Sequence, residues 1–193
     1  LNDNVLMTGA TSGAQVSGTG SSGVLPGQFS GAVSGGGSQT GVYSVVPNET
    51  GIGNKIRMVL TGGGGTDDGM NLQNLSSIHS RVSAGDTIFA EAEVSLSGSS
   101  AGTRGINLDI IATINGISNV IVQATTSSDN TDGYKEDHKL ILRTPQWTVP
   151  AGLTITVLRA RLRVNSRATG SPIIAEVSAF SCRKMATVYD TFP

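Results

Sequence analysis

Apolar and polar residues alternate strictly along two stretches of the sequence, and this period of two constrains the fold more than any other feature. From Ile88 to Leu96 every second side chain is apolar, and the same holds from Ile106 to Ile114. Successive side chains of a β-strand point to opposite faces of a sheet, so this alternation predicts half-buried strands. No window has an apolar stripe of helical period longer than two turns, which predicts an all-β chain.

Eight short runs, separated by Gly, Asn, Asp and Pro, are predicted to be strands. They span residues 42–46, 56–60, 88–96, 106–114, 120–124, 139–142, 154–164 and 173–180. The best helical stretch is a short one around 71–80. About eight strands without long helices predict an antiparallel β-sandwich of two sheets, of the jelly-roll type.

Two local features of these strands can also be predicted. Asn115-Gly116 lies between apolar residues and favours a type I′ hairpin turn, in which both central residues have positive φ. In the run 154–164 the apolar side chains change face between Val157 and Leu158, which predicts a β-bulge there.

Beyond the bulge, a row of basic side chains follows on one face of the strand. Arg159, Arg161 and Arg163 are spaced by two, which places them about 7 Å apart by strand rise. Glu91 and Glu93 project from the polar face of another strand. One interpretation is a cross-strand ladder of ion pairs on an exposed face. The other is a basic stripe that binds an anionic sugar or a partner subunit.

The composition excludes several classes of protein. Gly, Ser and Thr occupy 69 of the 193 positions, but 37% of the residues are hydrophobic, which is enough for a core. Only 14% are charged and the formal net charge is −1. This balance excludes a disordered polyelectrolyte and excludes nucleic-acid binding by counterion release. No stretch approaches the roughly 18 apolar residues of a membrane span, so no membrane insertion is expected.

The distribution of residue types divides the chain into three parts. Residues 1–41 hold too few bulky side chains for a core, which predicts a Gly/Ser-rich arm packed on the rest of the domain. Residues 42–184 form the predicted sandwich, and residues 185–193 form a tail. The single cysteine, Cys182, excludes an internal disulfide and is predicted to be a core residue. Because the sequence begins with Leu1 and not with Met, we expect it to be a piece of a longer protein.

Motifs typical of enzymes are incomplete in this sequence. Segment 5–13 is similar to the start of a short-chain dehydrogenase, but Gln15 stands where the last glycine is needed and no βαβ unit follows. The Gly-rich segment 61–66 lacks the Lys-Ser/Thr pair of a phosphate-binding loop. His79 and His138 have no metal-ligand spacing. No catalytic residue and no enzymatic activity are predicted.

The acidic segment 128–137 combines hard oxygen ligands with a turn glycine, as calcium sites do. Its spacing departs from the EF-hand pattern, and Lys135 interrupts it. Two interpretations stay open, a solvated turn and a weak calcium site formed by Asp129, Asp132 and Glu136. No other cofactor is expected.

Neutral sugars are often bound by aromatic rings, and otherwise by hydrogen bonds from Asn, Gln, Asp and Arg to their hydroxyl groups. Aromatic residues make up only 4% of this chain. Tyr43 and Phe89 are expected to be exposed, whereas Trp147 is either exposed or a plug of the core. The candidate glycan-binding residues are Tyr43, Phe89, Asp109, Trp147, Arg159, Arg161 and Arg163.

The order of several short segments carries a family resemblance. In chain order the segments are Asn4-Val5-Leu6, Leu25-Pro26-Gly27-Gln28-Phe29, Tyr43-Ser44-Val45-Val46, Gly53-Asn54-Lys55-Ile56-Arg57-Met58-Val59-Leu60, Val82-Ser83-Ala84-Gly85-Asp86-Thr87 and Trp147-Thr148-Val149-Pro150-Ala151-Gly152. This series resembles the carbohydrate-binding-module-like jelly-roll domains of bacteriophage tail fibres, tailspikes and virion-associated hydrolases. Phe29 stands where that family often has Trp.

The resemblance implies a non-catalytic module on the phage virion surface, outside the cell, that binds a bacterial cell-surface polysaccharide. Sister subunits, arranged as a homo-oligomer such as a trimer, and other virion proteins are the further partners it implies. Two alternatives stay open. One is a structural fibre segment or capsid decoration protein that holds subunits together, and the other is an accessory domain of a phage hydrolase.

Overall fold

The structure is a computed structural model, and it describes residues 22–24, 29–34, 39–49, 53–61, 69–74, 77–98, 104–128, 138–166 and 172–185. These residues form twelve strands and one turn of 3-10 helix at His79–Arg81. The strands are β1 (Ser22–Val24), β2 (Phe29–Ser34), β3 (Thr40–Pro47), β4 (Asn54–Thr61), β5 (Gly69–Asn74), β6 (Thr87–Gly98), β7 (Arg104–Ile114), β8 (Ile117–Ser128), β9 (His138–Arg143), β10 (Trp147–Thr148), β11 (Ile155–Ser166) and β12 (Pro172–Lys184).

The strands form two antiparallel sheets. In sheet A the order is β1-β2-β5-β11-β7-β8. In sheet B it is β10-β6-β12-β4-β3, and β9 also pairs with β6. The last two described strands, β11 and β12, therefore lie in the interior of their sheets. The predicted all-β, antiparallel two-sheet sandwich is confirmed.

The core lies between the two sheets and is built from the alternating apolar residues. On β6 the side chains from Ile88 to Leu96 that face inward are at most 2% exposed. Phe29 of sheet A stacks on Phe180 of sheet B with ring centroids 5.4 Å apart, so the position that departs from the resembled family is a core position. Cys182 is buried as well, as its place in an apolar strand predicted.

All eight predicted runs lie in strands, but the short helix around 71–80 is wrong. Gly69–Asn74 form β5, in which Met70 and Leu72 are fully buried and the residues between them face outward. Ile78 is also buried, but it precedes the 3-10 turn. Leu72 and Ile78 thus belong to different elements, and their spacing does not reflect a shared helical face.

The Gly/Ser-rich segment 1–41 also supplies strands, because β1, β2 and the start of β3 fall within it. Phe29 and Val33 of β2 enter the core, with small residues between them. Residues 1–21 and 186–193 lie outside the described residues. The division into arm, sandwich and tail stays a prediction.

Both predicted local features are present. Asn115 and Gly116 have φ values of 51° and 82°, and Ile114 pairs with Ile117 across the turn, as a type I′ hairpin requires. The bulge in β11 lies between Ile155 and Val157, one residue before its predicted position. It lets Ile155 pack on the core while Val157 shares a face with the arginines that follow.

Candidate functional site

A polar surface covers the outer side of sheet A. The inward side chains of β11 are buried, and the three arginines between them point outward. Strands β5, β7 and β8 add amides and one carboxylate to the same side. We call this surface the arginine face, and it consists of Asn71, Gln73, Asn107, Asp109, Gln123, Arg159, Arg161 and Arg163.

Asp109 lies within this face, opposite Arg161 in the strand register. Arg161 donates hydrogen bonds from Nε and Nη2 to Oδ2, at 3.0 and 2.5 Å, and Gln123 donates to Oδ1 at 2.7 Å. These two side chains cover the carboxylate, which is 1% exposed, whereas the Arg161 side chain is 24% exposed. Asp109 therefore holds Arg161 in place and offers no surface to a sugar, which corrects its prediction as a contact residue.

Several polar atoms of this side of sheet A are buried and lack a hydrogen-bond partner among the described residues. They include Ser34 Oγ on β2, Asn71 Oδ1 on β5 and Arg159 Nε on β11. A buried donor or acceptor left unpaired costs about 1–3 kcal/mol, and native proteins contain few of them. The three atoms share the outer side of sheet A but are spread along it, since Ser34 lies level with Asn165 and Arg159 lies at the other end of β11. A polar ligand that runs along this side would supply the missing partners.

An open depression of about 190 Å³ lies at the Arg159 end of this side of the sheet. Ile111, Val120 and Val157 form its apolar lining, and Arg161 contributes to its polar lining. Val120 is 48% exposed, so apolar surface on this side of the sheet is open to solvent. The combination of an apolar patch with adjacent guanidinium and amide groups suits a ring that has one apolar face and polar edges.

The prediction that Tyr43 is exposed is wrong, because Tyr43 is 1% exposed and points into the core. Its hydroxyl donates toward the carbonyl oxygens of Ala32 and Asn71, at 2.9 and 2.6 Å. The ring packs against Gly31, where an added Cβ would come within 2.6 Å of it. Burial raises the pKa of Tyr43 although both carbonyl contacts act to lower it. Tyr43 is a structural residue.

The other two aromatic candidates also lie away from the arginine face. The prediction that Phe89 is exposed is also wrong, because Phe89 is 7% exposed and the guanidinium of Arg143 covers its ring at 3.9 Å. Trp147 pairs with Ile88 at the edge of sheet B and is half-buried against the core, in line with the interpretation as a plug. The ring of Phe89 offers no free platform because Arg143 covers it, and Trp147 lies on the sheet that does not carry the arginine face.

Glu91 and Glu93 belong to sheet B, so the proposed ladder between them and the arginine row is wrong. They lie on the outer face of sheet B, on the opposite side of the sandwich. There Glu93 pairs with Lys139 at 2.6 Å and also accepts a hydrogen bond from Ser178. These two contacts lower the pKa of Glu93. Glu91 lies 3.5 Å from Arg183.

A second charged cluster on the outer face of sheet B centres on Glu176. Lys55 and Arg57 of β4 contact its two oxygens at 3.3 and 2.5 Å, and Lys55 also binds Glu49 at 2.8 Å. Burial acts to raise the pKa of Glu176, but the hydrogen bonds from Arg57 and Lys55 outweigh it and the pKa is lowered. Here cations and carboxylates balance within the protein.

The predicted calcium ligands Asp129, Asp132 and Glu136 lie outside the described residues, and that site stays a prediction. Within the described ranges no three His, Cys, Asp or Glu side chains come together as a metal site would require. No helix in the described part of the chain is long and apolar enough to cross a membrane.

Sequence reasoning found the arginine row but missed the amides beside it. Asn71 and Gln73 were assigned to a helix, and Gln123 was read as an ordinary strand residue. The usable signal was the alternation of Asn71 and Gln73 with Met70 and Leu72, which has the period of a strand. The pairing of β5 and β8 with the same sheet as β11 could not be predicted, because strand order depends on distant segments.

No protein-family model matches the sequence, and no curated protein matches it. Solved structures match by fold. One is described as "Structural basis for the promiscuous specificity of the carbohydrate-binding modules from the beta-sandwich super family". It is 15% identical with a TM-score of 0.56, and the match covers 90% of this chain. This chain spans 63% of the length of that structure.

Two further solved structures are similar. The arabinose-bound MgGH51 α-L-arabinofuranosidase is 12% identical with a TM-score of 0.50, over 94% of this chain and 28% of that one. The CBM22-1 xylan-binding domain of Paenibacillus barcinonensis Xyn10C is 14% identical with a TM-score of 0.49, over 82% and 87%. By the first of these comparisons, the chain has a β-sandwich fold that is shared with carbohydrate-binding modules.

Proposed function

We propose that the chain is a non-catalytic carbohydrate-binding module and that its ligand lies on the arginine face. One observation carries this proposal. Buried polar atoms without a described partner, at Ser34, Asn71 and Arg159, all belong to one side of sheet A. On the outer face of sheet B, by contrast, Lys55, Arg57 and Lys139 contact carboxylates of the protein itself.

The chemistry of the arginine face suits a sugar chain. Guanidinium and amide groups donate hydrogen bonds to hydroxyl oxygens, and amide oxygens accept from hydroxyl protons. The apolar lining of the depression, formed by Ile111, Val120 and Val157, would contact the C–H surface of a pyranose ring. Since these groups lie on paired strands and not on loops, the surface is held in shape by the backbone ladder before a ligand arrives.

The shared fold supports the same proposal. The solved structure with the TM-score of 0.56 is described as one of carbohydrate-binding modules, and this chain shares its β-sandwich fold. A fold alone is compatible with many functions, so the residues of the arginine face carry the argument and the fold adds to it.

We propose further that the module lies on the surface of a phage particle and binds a bacterial cell-surface polysaccharide. The order of the short segments that resembles phage tail-fibre and tailspike domains supports this setting. In it, the partners are sister subunits, arranged as a homo-oligomer such as a trimer, and other virion proteins. Sedimentation of the purified chain tests the assembly, and a stable monomer would contradict it.

An accessory domain of a glycoside hydrolase is the second candidate. The observation in its favour is the match to the arabinofuranosidase, in which this chain corresponds to only 28% of the enzyme. The two candidates differ in what the same gene encodes next to the module. A hydrolase domain in the same open reading frame would favour the accessory role, and a tail-fibre trunk would favour the virion role.

A binding measurement tests the proposed site. The chain is applied to an array of plant and bacterial polysaccharides, and each hit is measured by affinity electrophoresis. The double variant Gln73→Ala with Asn107→Ala should weaken binding at least tenfold without a change in melting temperature. Ser95→Ala with Ser97→Ala, on the outer face of sheet B, is the matched control and should bind as the wild type does. Equal loss in both double variants, or no bound polysaccharide at all, would contradict the proposal.

A further inference from the structure

We propose that the sugar chain recognised by the arginine face is acidic, and that Arg159 is the residue that binds its anionic group. This inference rests on the proposed function, since it names the ligand class of that same site. It starts from the charge of the two outer faces, which differ although both belong to the same sandwich.

On the outer face of sheet B, several basic side chains have carboxylate partners, while Arg143 covers the ring of Phe89. Lys55 and Arg57 contact Glu176, and Lys139 contacts Glu93. The arginine face has three arginines, and among the described residues of sheet A Asp109 is the single carboxylate. On the arginine face, one carboxylate is thus present for three guanidinium groups.

The carboxylate of Asp109 is already paired within the protein. Arg161 directs two nitrogens to the same oxygen of Asp109, and Gln123 occupies the other oxygen. Asp109 is 1% exposed, so it cannot turn toward a second arginine without breaking these contacts. Asp109 is consequently not available to Arg159, the arginine that precedes Arg161 in the row.

Arg159 precedes Arg161 in the row, and its environment favours the binding of an anion. Its Nε is buried and has no hydrogen-bond partner among the described residues, and none of the described carboxylates forms an ion pair with it. A guanidinium binds a carboxylate or sulfate through two parallel hydrogen bonds, one of which would use this Nε. With a rotation of the half-buried Arg159 side chain that uncovers Nε, an incoming oxyanion would satisfy this donor and neutralise the charge in one contact.

The depression places a sugar ring where its anionic group can reach Arg159. Val157 and Arg161 both line the depression, and Arg159 lies between them on the same side of β11. Neighbouring side chains on one side of a strand are about 7 Å apart, close to the width of a pyranose with its substituent. A ring over Val157 and Ile111 would therefore direct an acidic substituent toward Arg159.

The experiment compares acidic polymers with their neutral counterparts on the full chain. Polygalacturonate, hyaluronan and alginate are each paired with the carboxyl-reduced polymer, and dextran sulfate is paired with dextran. We expect at least one acidic polymer to bind tenfold or more tightly than its neutral partner. The polymer pair that shows the difference identifies the anion as a carboxylate or a sulfate.

Substitutions then locate the contact. Arg159→Gln should abolish the preference for the acidic member of the pair without a change in the melting temperature. Arg159→Lys keeps the charge but not the paired donors, and should keep only part of the preference. Arg183→Gln removes an exposed arginine from the other side of the sandwich, and should leave the preference intact.

Three results would overturn the inference. Equal affinity for the acidic and neutral members of every pair would refute an acidic ligand while the proposed carbohydrate-binding function stands. Equal loss in Arg159→Gln and Arg183→Gln would show attraction by overall charge and not a contact at Arg159. Failure to bind any of these polymers and any polysaccharide on the array would refute the inference and the proposed function together.

Discussion

The phenolic oxygen of Tyr43 lies 2.6 Å from the backbone carbonyl oxygen of Asn71, and this contact joins the two sheets through the core. Tyr43 belongs to β3 in sheet B, and Asn71 belongs to β5 in sheet A. The side chain of Asn71 is part of the arginine face. A buried hydroxyl of one sheet is thus tied to the strand that presents part of the candidate site on the other.

Removal of this hydroxyl should weaken the sandwich. Tyr43→Phe keeps the ring but leaves the carbonyls of Ala32 and Asn71 without their donor, so we expect the free energy of unfolding to fall by about 1–2 kcal/mol. Urea denaturation measures the change. Because burial raises the pKa of Tyr43, wild-type stability should also fall as the pH rises above the ordinary tyrosine value of 10.0, and this part of the fall should be smaller in Tyr43→Phe. An unchanged midpoint at neutral pH would contradict the inter-sheet role.

Glycine at position 31 should be required by the ring of Tyr43. A Cβ at this position would lie 2.6 Å from the ring, whose hydroxyl is held by two carbonyls, so Gly31→Ala is expected to cost about 1–3 kcal/mol by overpacking. Gly105→Ala is the matched control, because its Cβ would meet its nearest neighbour, Asn165, at 3.6 Å in ordinary contact. Thermal unfolding of both variants gives the comparison. Similar melting temperatures would mean that the ring moves aside without cost.

Arg161→Gln should destabilise the fold as well as the face. The substitution leaves the buried carboxylate of Asp109 with Gln123 as its remaining described donor, and the loss of one member of a buried pair costs about 3–5 kcal/mol. The double variant Arg161→Gln with Asp109→Asn removes the buried charge too. It should unfold at a higher urea concentration than Arg161→Gln alone. Asp109→Asn alone completes the comparison. If the loss of unfolding free energy in the double variant equals the sum of the losses in the two single variants, the carboxylate and the guanidinium do not interact.

The cluster around Glu176 should make stability depend on acid pH. Hydrogen bonds from Arg57 and Lys55 outweigh burial and lower the pKa of Glu176 below its ordinary 4.5, so its contribution to stability is present above about that pH. The contribution is lost as the pH falls through the lowered pKa. The difference in unfolding free energy between wild type and Glu176→Gln should therefore shrink below pH 4.5, as measured by urea titrations at several pH values. Glu49→Gln changes an exposed partner, and should have a smaller effect at neutral pH.

The thiol of Cys182 should report on unfolding. Cys182 is the one cysteine of the chain, it is fully buried, and burial raises its pKa to about 12. A thiol reagent near neutral pH should modify it only as fast as the domain opens, and Gly31→Ala should accelerate the reaction. Complete modification of the native wild type within the mixing time would show that the strand pair β6–β12 opens readily.

The fold class could be predicted because it depends on local pattern. Alternation in β6 and β7, the turn at Asn115-Gly116 and the change of face before Leu158 are all short-range signals, and each corresponds to an observed feature. Strand β5 was missed because its six residues contain only two apolar side chains, Met70 and Leu72. Such a short pattern is easily mistaken for part of a helical one.

The candidate site was only partly predictable because it depends on which strands are neighbours. The arginine row can be recognised within the sequence of one strand. Its partner carboxylate cannot, because Asp109 contacts Arg161 only when β7 pairs with β11. Glu91 and Glu93 carry the charge that the predicted ion pairs require, but they lie in sheet B and the arginine row lies in sheet A. Tyr43 was misjudged because the sequence does not show that Gly31 leaves room for its ring in the core.

The interior positions of β11 and β12 have a consequence for the order in which the domain can fold. Without β11, sheet A consists of the separate pieces β1-β2-β5 and β7-β8, and without β12, sheet B likewise separates into two pieces. Strands β11 and β12 are also the last of the described strands to be synthesised. A nascent chain on the ribosome therefore exposes unpaired inner strand edges until Lys184 has emerged, and we expect folding to be completed only after that and to be slow, as long-range strand pairing requires.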